Sequence, residues 1–100
     1  MKLDEDFLFQ VYATVAEIPF GKVSTYGDIA KLIGYDKNSR MVGRALRMAG
    51  LYGDYPCHRV VNAAGKLVVG WEEQRELLQI EGVIFTKNDR VDLKKHRWTV

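Results

Sequence analysis

The chain is 100 residues long, 47% hydrophobic and 28% charged, with a net charge of +2. That size and mixture fit one globular domain, spanning residues 1–100, that packs a core without covalent staples. A single cysteine excludes an intrachain disulfide and a cysteine-rich zinc site, no apolar run reaches the ~18–20 residues of a membrane helix, and the acidic start MKLDEDFLFQ is unlike a signal peptide.

The expected setting is reduced, intracellular and cytoplasmic. Cys57 is there a buried filler, an accidental thiol or a reactive group. Charge is uneven along the chain. Residues 1–21 hold one basic and four acidic side chains, residues 22–59 seven and three, and residues 60–100 seven and six. The basic middle suits a polyanion-binding face, and equally an ordinary solvated surface.

Phe7, Leu8, Val11, Tyr12, Val15 and Ile18 recur at helical spacing, with Asp4 or Asp6 as N-cap and Pro19 as the stop. Thr25-Tyr26-Gly27-Asp28 has capping-box form ahead of Ile29, Ala30, Leu32 and Ile33, and Gly34 is placed to end that helix. A third helix, capped by Asn38 or Ser39, has Met41, Val42, Ala45 and Leu46 as its apolar stripe. Arg40, Arg44 and Arg47 share its other face. Two short helices with an arginine ridge on the second read as helix-turn-helix, or as a pair whose arginines merely face solvent. Val60-Val61 and Leu67-Val68-Val69 flank Asn62-Ala63-Ala64-Gly65 as a small β-hairpin. Residues 71–81 read as a fourth helix, with Leu77 and Leu78 inward and Gly82 at its end. Val83-Ile84-Phe85 and Val91-Asp92-Leu93 are short apolar pieces of the tail.

Pro56-Cys57-His58-Arg59-Val60 is the informative pentapeptide. Cysteine attacks as thiolate, and a neighbouring base or cation favours that form. On an extended segment Cys57 and His58 point to opposite sides, so His58 need not touch the sulfur directly, and water is one route between them. Here the chain resembles the O6-alkylguanine-DNA alkyltransferases. Gly21-Lys22-Val23-Ser24-Thr25-Tyr26-Gly27-Asp28-Ile29-Ala30 is similar to the start of that family's DNA-binding motif. Ser39-Arg40-Met41-Val42-Gly43-Arg44-Ala45-Leu46 resembles its recognition helix, and the pentapeptide resembles its alkyl-acceptor motif. Leu77-Leu78 with Ile80-Glu81-Gly82 resembles the segment carrying its active-site glutamate.

The resemblance implies a mainly α, winged-helix-like helix-turn-helix domain with a small β-hairpin. The N-terminal domain of full-length transferases is expected to be absent. It implies docking in the minor groove of double-stranded DNA containing O6-alkylguanine, with Thr25, Tyr26, Arg40, Gly43, Arg44 and Arg47 at the interface. Arg40 then fills the gap left by a flipped base, and Tyr26 crowds the phosphate and gives a proton to the leaving guanine. Cys57 accepts the alkyl group once, with His58 as base through water and Glu81 orienting it. Neither metal nor cofactor is implied, and a monomer suffices.

The chain also departs from the transferase pattern. Ala49-Gly50 stands where transferases carry Asn-Pro, and the closing loop, Val68-Val69-Gly70-Trp71, is short. Both traits resemble the alkyltransferase-like proteins, as does the tail from Arg90-Val91-Asp92-Leu93 to Trp98. Those bind the lesion without repairing it and mark it for nucleotide excision repair. Most carry tryptophan at the acceptor position, whereas this chain has Cys57.

Overall fold

A computed structural model describes residues 3–100. Helix α1 spans Glu5–Ala16, with the Asp4 carboxylate accepting from the Phe7 amide at 2.8 Å as N-cap. It stops short of Pro19, at Glu17, because the chain must turn for the connector. Strand β1 is Ser24–Thr25, and the Thr25 hydroxyl caps helix α2, Tyr26–Leu32, by accepting from the Asp28 amide at 3.1 Å. Asp28 does not complete a reciprocal box, since its carboxylate is held by Arg97 at 2.7 and 2.8 Å. Gly34, at φ +84°, ends α2 in a Schellman motif: Gly34 N–H reaches the Lys31 carbonyl and Tyr35 N–H that of Ala30.

Helix α3, Ser39–Arg47, buries Val42 and Ala45. Its N-cap residue is Asn38, which makes no side-chain capping bond. Tight 3₁₀ turns at Ala49–Leu51 and Cys57–Arg59 lead into strand β2, Val60–Val61. Helix α4 is Glu73–Ile80 and helix α5 Leu93–His96.

The fold is mainly helical with one two-stranded sheet, but the sheet is not a hairpin. β2 pairs in parallel with β1, Ser24 opposite Val60 and Thr25 opposite Val61, with α2 and α3 forming the crossover. Asn62 does nucleate a tight turn, its side chain accepting from Ala64 and Lys66 amides. Leu67–Val69 cannot return along β2, because Gln74 accepts the Val68 N–H at 2.7 Å and donates to the Val60 carbonyl at 3.0 Å.

A two-residue strand sends adjacent side chains to opposite faces. Val60 thus joins the larger core of α1, α2 and α3, where Phe7, Val11, Val15, Ile29 and Val42 are buried. Val61 joins a smaller core with Val23, Leu78, Val83 and Val91. Leu77 is 37% exposed, so the inward positions of α4 are Gln74 and Leu78, four residues apart on one face. The tail closes the free edge of β1: Val23 N–H donates to His96 O at 2.8 Å and Trp98 N–H to Val23 O at 2.7 Å.

Candidate functional site

Pro56, at φ −77° and ψ 60°, is the centre of an inverse γ-turn closed by Cys57 N–H to Tyr55 O at 2.8 Å. The following 3₁₀ turn, rather than an extended segment, carries Cys57, His58 and Arg59. With three residues per turn, their side chains fan out in different directions. Cys57 faces a cavity of about 140 Å³ lined by Tyr26, Gly43, Leu46, Arg47, Val68 and Trp71. His58 and Arg59 turn instead toward Glu81.

Glu81 is the hub behind the acceptor turn. Its Oε1 accepts from Gly21 N–H at 2.8 Å, its Oε2 lies 2.6 Å from His58 Nε2, and Arg59 Nε donates to both oxygens at 3.0 Å. Burial disfavours the charged carboxylate, but these bonds together outweigh it and hold the pKa below the ordinary range. An ionised Glu81 accepts the proton of His58 Nε2. That tautomer leaves Nδ1 as the basic nitrogen. Arg59 is further tied to Ile18 O at 2.8 Å and lies over the Phe20 ring.

Burial pushes the Cys57 thiol pKa up; its own backbone N–H opposes this and the Asp54 charge adds to it. The resting group is therefore a thiol, which needs a base to react. Burial also raises the Tyr26 phenol, with Arg47 pulling it down and Cys57 pushing it up. At neutral pH Tyr26 keeps its proton and is able to donate it.

A second, open concavity of about 420 Å³ runs along α3, lined by Tyr26, Ser39, Arg40, Gly43, Arg44 and Arg47. Arg40, Arg44 and Arg47 are exposed, and among the described residues none has a carboxylate partner. Thr25 alone of the expected interface set is inward, 3% exposed and occupied as the cap of α2. The remaining residues fall into two adjoining spaces, with Tyr26, Gly43 and Arg47 common to both.

Sequence reasoning missed Gln74. It is fully buried, bonding the carbonyls of His58 at 3.2 Å and Val60 at 3.0 Å, and so locks the acceptor turn to α4. Its polarity on an apolar stripe gave no sign of this, because glutamine ordinarily marks a solvent face. Trp71, read both as a helix start and as the end of the short closing loop, precedes α4 and walls the cavity.

Residues 6–83 match the family model for the 6-O-methylguanine DNA methyltransferase DNA-binding domain. The chain is 37% identical to a DNA base-flipping protein of Vibrio parahaemolyticus, covering 94% of this chain and 97% of that one. It is 42% identical to a methylated-DNA–protein-cysteine methyltransferase of Methanosarcina acetivorans over 77% of this chain, which spans about half (51%) of that relative. Its fold superposes on Schizosaccharomyces pombe Atl1, solved in complex with damaged DNA containing O6-carboxymethylguanine, with a TM-score of 0.84, 34% identity and full coverage of both chains. Relatives therefore include both methyltransferases and base-flipping proteins. A Cys57–Arg59 turn braced by Glu81, an arginine-lined helix beside it and these matches lead to one assignment: the chain belongs to the 6-O-methylguanine DNA methyltransferase family, through its DNA-binding domain.

Proposed function

We propose that this protein binds O6-alkylguanine in double-stranded DNA, extrudes the base, and takes the alkyl group onto Cys57 in a single turnover. The observation that carries this reading is the cavity: Cys57 and Tyr26 line it, and it adjoins the arginine-lined groove of α3. A duplex seated on that groove has its backbone beside Arg40, Arg44 and Arg47, and the cavity of Cys57 beside it gives an extruded base a space to enter. The S. pombe relative, solved with damaged DNA containing O6-carboxymethylguanine, supports lesion binding by a domain of this fold.

The residues divide the chemistry. Glu81 accepts from His58 Nε2, which frees Nδ1 to take the thiol proton through a water. The sulfur then forms its bond to the alkyl carbon as the bond from that carbon to O6 breaks, and the electron pair returns to the guanine. Tyr26 protonates the purine, and the proton on His58 restores the phenol through solvent. The products are unmodified guanine and a stable thioether, so each molecule reacts once.

Two observations favour a second reading, lesion sensing without transfer. Burial keeps Cys57 protonated, and Ala49 leaves the site without the amide that braces related transferases. Intact mass after incubation with O6-methylguanine duplex separates the two. A methyl adduct mapping to Cys57, absent in Cys57→Ala, is the expected result. Tight lesion binding with unchanged mass assigns sensing instead. Equal affinity for lesion and undamaged duplex removes both.

A further inference from the structure

The three arginines of α3 look alike in sequence, yet the fold gives them different neighbours. Arg40 and Arg44 border only the open groove. Arg47, the last residue of the helix, borders the groove and the enclosed cavity of Cys57 alike. Its charge is felt inside, since it lowers the Tyr26 pKa against the effect of burial. The rest of that cavity is apolar, aromatic or uncharged: Tyr26, Gly43, Leu46, Cys57, Val68 and Trp71. No carboxylate lines it, and among the described residues none pairs with Arg47. Asp54, which acts on the Cys57 thiol, lies on the separate concavity bordered by His58 and Arg59.

We infer that Arg47 sets the lesion specificity of this site, favouring guanines whose O6 substituent ends in a negative charge, such as a carboxylate, over neutral substituents of the same size. This rests on the lesion-binding reading above and deepens it. A substituent attached at O6 points toward Cys57, the wall that Arg47 adjoins. There a guanidinium meets a carboxylate with a charge-assisted, two-pronged hydrogen bond. The cavity of Cys57 is more sheltered than the open groove, so fewer waters compete for the pair there than on the outer face of α3. A neutral substituent receives no such bond. Any phosphate contact made by Arg47 is common to the four duplexes and cancels in a ratio.

The test measures affinity by fluorescence anisotropy in a Cys57→Ser background, which prevents transfer. Four otherwise identical duplexes carry O6-carboxymethylguanine, its neutral isostere O6-carbamoylmethylguanine, O6-methylguanine or guanine. With Arg47 present, the carboxylate lesion is expected to bind roughly tenfold more tightly than the carbamoyl one. Arg47→Gln brings that ratio to about one while O6-methylguanine still binds better than guanine, and Arg47→Lys restores part of the ratio. A ratio near one with Arg47 present overturns the inference alone, as does a preference that survives Arg47→Gln. If no modified base outcompetes guanine, the lesion-binding reading itself fails and this inference with it.

Discussion

Glu81 holds three donors from two parts of the chain: Gly21 in the connector, and His58 and Arg59 in the Cys57–Arg59 turn. Its side chain is 5% exposed, so removing the charge strands Arg59 in a half-dry site. Glu81→Gln is expected to lower stability at pH 7 by roughly 1–3 kcal/mol, read by denaturant unfolding. The pH dependence has a definite sign. Because folding depresses this carboxyl's pKa, its stabilisation is complete above the unfolded value of about 4.3 and is lost as pH falls through the folded one. The Tm of the parent therefore drops on acidification toward pH 3, and part of that drop disappears in Glu81→Gln. Gln74 acts at the same scale. Its amide bonds three backbone groups, the Val68 N–H and the carbonyls of His58 and Val60, and the bond to Val60 is buried.

Helix α3 is the element that joins binding to packing. Val42 and Ala45 point inward, Tyr12 Oη donates to the Ala45 carbonyl at 2.7 Å, and the arginines are left outside. Arg44→Ala is expected to weaken DNA binding across sequences and reduce the slope of log K against log salt by about one. If Arg40 fills the gap left by the extruded base, as the family resemblance implies, Arg40→Ala should lower affinity for a lesion duplex roughly tenfold, with a smaller loss on undamaged duplex. Equal losses on both would reduce Arg40 to a phosphate contact. Gly43 supplies a steric test of the same groove. A Cβ there meets only the Tyr26 ring, at 3.9 Å, which is ordinary contact. Gly43→Ala is thus expected to fold and to gain about 0.5–1 kcal/mol from helix propensity. Gly43→Leu projects into both concavities and should abolish lesion binding while circular dichroism remains that of the parent.

At the level of the whole molecule, two small cores share one short sheet, and the C-terminal segment fastens it. Residues 96–98 cover the outer edge of β1, Arg97 clamps Asp28 at the start of α2, and His96 lies 3.0 Å from both Gly21 O and Ile84 N. Gly65 is the closest approach of this segment to the Asn62 turn. It sits at φ +82°, and a Cβ there would lie 2.6 Å from the Val91 carbonyl oxygen. Gly65→Ala should cost at least about 2 kcal/mol in chemical denaturation, although no DNA-facing residue is touched. A variant as stable as the parent would mean that residues 91–98 do not dock as described.

The first four helices, the Asp4 and Thr25 caps and the glycines Gly34 and Gly82 were legible in the chain, because helical periodicity and capping chemistry are local; α5, four residues long in a tail read only as apolar pieces, was not, and Asn38 makes no capping bond to α3. The Cys57 pentapeptide and the arginine ridge were equally legible as motifs and pointed to the family to which the chain belongs, since a motif keeps its residues in a contiguous run. Strand pairing was not. Val60 has an equally plausible local partner across the Asn62 turn, and only the placement of β1 and the competing amide of Gln74 decide for the parallel register. The same holds for Leu77 against Gln74, where burial depends on what faces α4 rather than on hydropathy. It holds too for the division among Arg40, Arg44 and Arg47. Helical spacing puts them on one face, but which of them reaches the cavity of Cys57 depends on residues far away in the chain, Val68 and Trp71, closing its other side.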